Sequence, residues 1–283
     1  MQSTDHAVYE PNYRAKATSI QIWSKCLRTI CRRKDLLFYL VRRDFLSDFK
    51  RSFISAGWVL ITPALAVISW LFFNHTNILN PGRLPIPYPA YVLLSTLIWK
   101  LFIGIYQSGS NLFFESASFG IDVRFHREVL LAKQIILHVL NLAAGLLIIE
   151  AVLVYYGILP TWKMLSFPVT LIPLILMGAG IGLLASVYSV VLPDSKKWLD
   201  YGMQLLMFVT PVVYSPQVDN ELIREIIRLN PISYLLDWSR SSLTGGSFDH
   251  PLGFLLGSIG ALAVFLLGLR LLYLAEDKVV EKL

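Results

Sequence analysis

Two apolar stretches, each long enough to cross a lipid bilayer, flank a short charged segment and constrain the fold of this chain more than any other feature. The stretches are Ala90–Phe114 and Gln134–Tyr156, and a membrane-spanning helix needs roughly 20 residues. The segment between them, 115–133, contains Arg124 and Arg127 and is too polar to enter lipid. The sequence therefore predicts two membrane helices that hold a charged element at one membrane face, where it suits a soluble partner better than a catalytic pocket.

Four further apolar runs bring the predicted number of spans to six. The chain is 55% apolar and 16% charged, which is typical of an integral membrane protein, and its 283 residues fit one membrane domain. The net charge of +6 comes from lysines and arginines that flank the apolar runs, which indicates membrane topology and not nucleic-acid binding. The predicted fold is all-α, with a membrane domain at 34–273 between tails at 1–33 and 274–283 and spans at about 56–73, 90–114, 134–156, 167–192, 201–215 and 251–273.

An amphipathic helix is predicted at 34–53, directly before the first span. It is too charged to cross the membrane, and its apolar residues recur every three or four positions, so it is expected to lie at the membrane surface. The alternative is a helix packed on another cytoplasmic element. Residues 1–33 lack such periodicity and are predicted to be a flexible tail. The apolar stripe consists of Phe38, Val41, Phe45, Phe49 and Phe53, and the opposite faces include Arg42 and Arg43.

A helical hairpin is predicted between the fifth and sixth spans. Asn230 and Pro231 separate two short apolar stripes, with asparagine in an N-cap position and proline at the first helical position. Neither stripe is long enough to span, so the pair is expected to enter the membrane from the outer face as a re-entrant hairpin, which also contains Asp237 and Arg240. The glycines at 245–246 end it.

Basic residues predict the orientation. They are dense before the first span, in 115–133 and in the turn at 193–200, and sparse in the other loops, apart from the arginines of the hairpin. The positive-inside rule then places both termini in the cytoplasm and the hairpin on the outer side.

Ionisable residues occur within predicted spans, where charge is costly and usually paired or functional, and two of them are predicted to interact. These residues, Lys100 and Glu150, are predicted to lie at similar depths and to pair. The alternative is that Lys100 extends alone toward the interface while Glu150 is protonated or faces water. The sequence contains no P-loop, H-E-x-x-H, paired cysteine ligands or G-x-S-x-G, so no catalytic residue, metal site or cofactor is predicted in this chain.

Five segments resemble the ABC-2-type permeases, in the branch that exports O-antigen, capsule and teichoic-acid polymers. The resemblance covers roughly Arg42 to Leu272 in the expected order. His126 stands where that family usually has proline, and Lys100 follows Trp99 where a small polar residue is more usual. The segments are RRDFLSDFKRSFISAGWVLITPALAVISWLFF, PYPAYVLLSTLIWKLFIGIYQSGSNLFFESASF, DVRFHREVLL, TPVVYSP and LNPISYLLDWSRSSLTGG.

The resemblance implies a homodimeric permease in the bacterial cytoplasmic (inner) membrane that moves a lipid-linked glycan. Two copies of a separate ABC ATP-binding subunit would hold the ATP and magnesium. It implies a gate helix at 34–53, a coupling helix at 125–130, and a path lined by the first, second and fifth spans. The implied coupling residues are Arg124, Phe125, His126, Arg127 and Glu128; the gate helix includes Phe38, Arg42, Arg43, Phe45 and Phe49. Aromatic rings that could stack on sugars, or simply pack, are Trp58, Trp70, Phe102, Tyr106 and Phe113.

Three other functions remain open at this point. An ABC-2 permease for a drug or another lipid would use the same fold. A proton-coupled secondary transporter would use His138 and Glu150 as a relay, although no internal repeat supports it. A membrane-embedded transferase would use Asp237 or Glu150 as a base, but no clustered polar site is evident.

Overall fold

The computed structural model describes residues 18–50, 84–113, 127–192, 194–217 and 220–280, with the single positions 65, 68, 72 and 82. Side chains are described at all of these except 48–50 and 276–280. Most of the predicted first span lies outside the described residues. So does most of the charged segment between the second and third spans.

The described part of the chain is all-α, as predicted. It contains nine α-helices and one short 3₁₀ helix. The elements are α1 (Ser19–Arg32), α2 (Lys34–Lys50), α3 (Tyr88–Ser110), α4 (Arg127–Tyr155), the 3₁₀ helix Trp162–Ser166, α5 (Phe167–Val191), α6 (Ser195–Val209), α7 (Glu221–Leu229), α8 (Pro231–Thr244) and α9 (Pro251–Val280).

Four helices of the described region are long and apolar enough to cross a membrane. They are α3, α4, the continuous helix formed by the 3₁₀ turn and α5 (Trp162–Val191), and the segment Pro251–Ala275 of α9. These four correspond to the second, third, fourth and sixth predicted spans, and they support an integral membrane protein. The helix α4 begins seven residues before the predicted start at Gln134, inside the segment predicted as a charged loop.

The helix α5 lies between α3 and α9, and its glycines let the backbones touch. A Cβ atom at Gly182 would lie 2.5 Å from the carbonyl oxygen of Tyr106 on α3. On another face of α5, a Cβ at Gly180 would lie 2.6 Å from the amide nitrogen of Phe265 on α9. Small residues permit such close helix packing in lipid, where no hydrophobic effect drives helices together. Gly180 and Gly182 therefore bring α5 into backbone contact with both of its neighbours.

Replacement of Gly182 by valine is expected to destabilise the protein by about 1–3 kcal/mol, because the added methyl groups must displace backbone and not a flexible side chain. The matched control is Gly202→Val on α6, where no atom lies within 4 Å of an added Cβ. Thermal unfolding in detergent measures both variants. An equal loss of stability in the two would contradict the close packing of α3 on α5.

The prediction of a flexible N-terminal tail is wrong for residues 19–32, which form α1. The backbone amide of Thr18 donates to Gln21 Oε1 at 3.1 Å, half of a capping box that starts the helix. Trp23 Nε1 donates to the carbonyl oxygen of Leu266 at 3.1 Å, and Lys25 Nζ donates to the hydroxyl of Tyr273 at 3.0 Å. Packing on α9 therefore holds α1 in place. The helix α9 itself continues to Val280, past the predicted end of the sixth span.

The buried face of α2 coincides only in part with the predicted apolar stripe. Val41 of the stripe is buried together with Leu37 and Leu40, whereas Phe38 of the stripe is 67% exposed. Leu37 and Val41 pack against Val129 at the start of α4. The alternative, a helix packed on another element of the protein, is therefore the better description of this face.

The helix in the region of the fifth predicted span begins and ends six residues earlier than 201–215. An i,i+4 ion pair between Lys196 and Asp200, with 3.4 Å between Nζ and Oδ2, supports the helix across the segment predicted as a turn. Pro211 lacks an amide hydrogen, so the helix cannot continue through it. With 15 residues α6 is about 22 Å long, shorter than the roughly 30 Å of a bilayer core.

The two short helices of the predicted hairpin are present as α7 and α8. Asn230 Oδ1 accepts a hydrogen bond from the amide of Ile232 at 3.0 Å, Pro231 is the first residue of α8, and Gly245 ends it with φ of 69°. Ser239 Oγ donates to the carbonyl of Thr170 on α5 at 3.2 Å, so α8 packs on the body of the protein. Whether the pair enters the membrane stays a prediction.

The helical body has two distinct ends. At one, which we call the α1 end, α1 and α2 pack near the end of α3, the start of α4 and the C-terminal half of α9. At the other, the α8 end, α8 packs near the starts of α3, α5 and α9. The helix α1 and the C-terminal half of α9 thus lie at the same end of the body. Which side of the membrane this end faces stays a prediction.

Candidate functional site

The charged segment of the predicted coupling element is anchored at one place. Arg124, Phe125 and His126 lie outside the described residues, whereas Arg127 and Glu128 form the first turn of α4. The guanidinium of Arg127 lies 4.5 Å from the ring centroid of Phe113, a cation–π contact. The described chain therefore leaves the body at Phe113 and returns at Arg127 within contact distance.

A buried ion pair joins α2 to the start of α4. Lys133 is 2% exposed, and its Nζ lies 3.1 Å from Asp44 Oδ2. Asp44 Oδ1 also accepts a hydrogen bond from Arg43 Nε at 2.7 Å. Burial would raise the pKa of the Asp44 carboxyl, but the hydrogen bonds from Arg43 and Lys133 outweigh it and lower that pKa below its usual value. The predicted gate helix is therefore tied to α4 two turns after Arg127.

The other predicted gate residues occupy different environments. Arg42 is exposed beside Phe38, Arg43 is held by Asp44, and Phe45 is partly buried. The side chain of Phe49 lies outside the described part.

The Asp44–Lys133 pair is expected to stabilise the protein at neutral pH and to lose this effect in acid. The pKa of Asp44 in the folded state lies below that of an unfolded aspartate, about 3.9, so the stabilisation is present above that value and disappears as the pH falls through the folded-state pKa. Asp44→Asn is expected to lower the unfolding free energy by about 1–3 kcal/mol at neutral pH. Thermal unfolding of this variant and the parent protein should converge below about pH 4.

Asp194→Asn is the matched control for that experiment, because Asp194 pairs with Lys197 in an exposed position. It should have little effect at any pH, since exposed ion pairs contribute little. A stability difference for Asp44→Asn that does not change with pH would contradict an ionic contribution.

A second polar contact ties α3 to the first turns of α6. The hydroxyl of the buried Tyr106 donates to Asp200 Oδ1 at 2.8 Å, and Lys196 lies on the other carboxylate oxygen. Sequence reasoning treated Tyr106 only as an aromatic ring and did not identify Asp200. Because Asp200 lies 94 positions after Tyr106, no local sequence pattern indicates that the two residues interact.

A buried arginine organises the α8 end. Arg240 is 3% exposed and forms an ion pair with Asp237, one turn earlier on α8. Its guanidinium also donates to Ser95 Oγ at 3.1 Å and to the carbonyl of Pro211 at 3.3 Å, and it stacks 4.1 Å from the ring centroid of Tyr91. One side chain therefore connects α8, α3 and the turn that follows α6.

The same turn is held from two further sides. The hydroxyl of Tyr91 donates to the carbonyl of Tyr214 at 2.9 Å. Asn230 Nδ2 donates to Thr210 Oγ1 at 2.9 Å, while its Oδ1 caps α8. Sequence reasoning found Asn230, Asp237 and Arg240 but not their partners, which lie on other helices.

The aromatic residues predicted to contact the substrate do not share an open surface. Phe102 and Tyr106 are fully buried in the protein, and Phe113 is 1% exposed, so in this arrangement none of them offers a face to a sugar. Trp58 and Trp70 lie outside the described residues. Each of the three described rings fills a space between helices, and their role in a substrate path stays a prediction.

The predicted ion pair between Lys100 and Glu150 does not form. Leu97 contacts Gly145, and Gly104 contacts the His138 ring, so the antiparallel register places Lys100 level with Leu142. At 1.5 Å per residue, Glu150 lies about 12 Å further along α4. Counting residues from the predicted membrane surface misplaced the two helices relative to each other.

Lys100 instead lines a cavity of about 260 Å³ between α3 and α4. Its other polar lining residues are Gln107, His138 and Asn141. His138 Nε2 lies 2.9 Å from Ser108 Oγ. Within α3 the exposed residues are Lys100 and Gln107, so the open face of this otherwise buried helix is polar.

Comparison with known proteins identifies the class of molecule that carries these features. The family model described as ABC-2 type transporter matches residues 35–244. The chain is 24% identical to an O-antigen export system permease protein RfbA of Klebsiella pneumoniae over 82% of this chain and 91% of the relative. It is 23% identical to the protein of that name from Myxococcus xanthus over 75% of this chain and 81% of the relative.

Proposed function

The chain belongs to the ABC-2 type transporter family, and we propose that it is the permease subunit of an exporter that moves a lipid-linked polysaccharide across the bacterial cytoplasmic membrane. ABC-2 permeases are transmembrane subunits without an ATPase domain of their own. In the proposal, ATP hydrolysis in a separate ATP-binding subunit supplies the energy. The names of the curated relatives support an O-antigen type of cargo.

The junction at the α1 end is the observation that carries this proposal. The segment proposed to dock the ATP-binding subunit is anchored by Phe113 and Arg127, and two turns further along α4 Lys133 holds Asp44 of α2. A displacement at the docking segment is passed to α2 through a buried ion pair, which resists separation because either charge alone would be left poorly solvated. Nucleotide-driven movement thereby reaches the proposed gate helix.

The remaining architecture of the proposal follows the family. Two copies of the chain form the path, and each binds one ATP-binding subunit through 115–133, with Arg127 and Glu128 among the contacts. The first span and the segment 195–217, of which α6 is the helical part, complete six membrane crossings. The α1 end faces the cytoplasm, and α7 with α8 forms the outer re-entrant hairpin.

The polar face of α3 favours a glycan over an apolar drug. Lys100 and Gln107 are exposed on this helix, and Asn111 follows one turn later. Such residues are costly when they face lipid and usually face protein or a water-filled space. Hydroxyl-rich sugars offer them hydrogen-bond partners that a hydrocarbon drug lacks.

A proton relay between His138 and Glu150 has less support. Both lie on α4, twelve residues apart, which is about 18 Å along the axis. This distance is too long for a direct proton transfer between the two side chains. The secondary-transporter alternative therefore lacks its relay.

The test is export by the reconstituted complex. The chain is co-expressed with a candidate ABC ATP-binding subunit, inserted into vesicles, and supplied with a lipid-linked O-antigen glycan or with an apolar drug. We expect ATP-dependent appearance of glycan on the far side and no drug transport. Drug transport without glycan transport would overturn the substrate assignment, and glycan movement in the absence of ATP would overturn the mechanism.

A further inference from the structure

We propose that the cavity between α3 and α4 binds a phosphate group carried by a lipid, with Lys100 as the anion-binding residue. The cavity encloses about 260 Å³. Ligand pockets for drug-sized molecules usually exceed 300 Å³, so this one suits a head group and not an oligosaccharide. Because the cavity lies between two membrane spans, it is accessible to an amphiphile whose tail stays in the bilayer.

The charge of the cavity selects an anion. Its lining contains one lysine and no carboxylate. No ion pair of the described residues involves Lys100; its predicted partner, Glu150, lies more than two turns away. Other buried or half-buried cations of the protein, such as Lys133 and Arg240, do have carboxylate partners. Lys100 therefore keeps its hydrogen-bonding capacity for a ligand.

Neutral donors accompany this cation. Gln107 and Asn141 line the same cavity and are exposed, and each carries an amide that can donate to an oxyanion. The non-bridging oxygens of a lipid phosphate, two in a diester and three in a monoester, can accept hydrogen bonds from the ammonium and from both amide groups.

The imidazole of His138 serves as a fixed wall of the cavity. A Cβ atom at Gly104 would lie 2.7 Å from His138 Cε1, so the glycine makes the space in which the ring rests on the α3 backbone. Ser108 Oγ lies 2.9 Å from Nε2 and fixes the orientation of the ring. The donors to the ligand are thus Lys100, Gln107 and Asn141.

The rest of the lining is apolar and suits the first carbons of a lipid tail. It consists of Leu97, Leu101, Ile103 and Leu142. Two sources can supply a lipid phosphate: the membrane's own anionic phospholipid, or the lipid anchor of the exported glycan. Only the second source depends on the proposed function, because binding of the phosphate group does not require transport.

Binding of monohexadecyl phosphate to the full chain in phosphatidylcholine nanodiscs tests the site. Lys100→Met is expected to weaken binding about tenfold or more, the usual size of a charge-assisted hydrogen bond in an affinity, and Lys100→Arg should keep most of it. Glu150→Gln is the matched control, since it removes the other intramembrane charge outside the cavity. Equal binding by the parent protein and Lys100→Met would overturn the proposal, as would equal binding of hexadecanol and hexadecyl phosphate.

Competition then distinguishes the two sources. Displacement of the probe by phosphatidylglycerol supports the site with membrane lipid as its occupant. Displacement only by the lipid-linked glycan supports it with cargo as the occupant. If Lys100→Met binds the probe normally while the complex exports glycan, only the proposed site is overturned. If probe binding depends on Lys100 but the complex exports no glycan, only the proposed function is overturned.

Discussion

Export is expected to stop when Arg127 is replaced by glutamate, while ATP hydrolysis by the assembled complex continues. Arg127 stands at the first turn of α4 and its guanidinium lies over the ring of Phe113, so the reversal removes the contact that closes the proposed docking segment. The protein should still fold, because a carboxylate is favourable at a helix N-terminus and the loss of one cation–π contact, even a desolvated one, costs only about 2 kcal/mol. ATPase activity and glycan transport are measured in the same vesicles.

Two further variants complete this experiment. Arg127→Lys keeps the positive charge over the ring and should retain a substantial part of the export. Arg228→Glu reverses a charge at the α8 end, where Arg228 forms an exposed pair with Glu225, and should not affect coupling. Normal export by Arg127→Glu would remove this residue from the proposed coupling element.

Removal of the buried cation at the α8 end should have the largest effect on stability. Arg240→Met is expected to lower the unfolding free energy by about 3–5 kcal/mol, the usual cost of breaking a buried ion pair. The variant loses the contacts to Ser95 and the carbonyl of Pro211 as well as the pair with Asp237. Thermal or denaturant unfolding of the purified protein in detergent measures the loss.

The chain offers a matched control for this variant. Arg228 and Glu225 form an i,i+3 pair of the same kind on α7, with side chains 60% and 58% exposed. Arg228→Met should therefore cost no more than about 1 kcal/mol. The double variant Arg240→Met with Asp237→Asn should be less destabilised than the sum of its single changes, because neither charge is left without the other. Equal costs at Arg228 and Arg240 would show that the buried network contributes nothing beyond a surface pair.

Features set by local chemistry could be predicted from the sequence. Long apolar runs specify spans because the bilayer accepts little else, and an asparagine before a proline at the start of an apolar stripe favours a helix start. The cap at Asn230 was predicted for this reason and is confirmed. The family resemblance quoted from the sequence is confirmed as well.

Features set by contacts between distant residues could not be predicted. The buried face of α2 depends on Lys133, which lies on another helix, and α1 is held by α9, more than 200 residues later. Whether Lys100 meets Glu150 depends on the register of α3 against α4. Gly104 and Gly145 determine this register because each makes room for a specific side chain of the other helix. The candidate site was therefore predicted as a set of residues, but not as a set of contacts.

The glycine contacts of α5 have a mechanical consequence. Where main chains touch, as at Gly182 with α3 and at Gly180 with α9, no layer of flexible side chains remains that could be compressed or rearranged. The three helices must then move as one solid block. A passage wide enough for a sugar chain has to open along the outer boundary of this block and not within it. Covalent cross-links between α3, α5 and α9 should consequently leave transport intact.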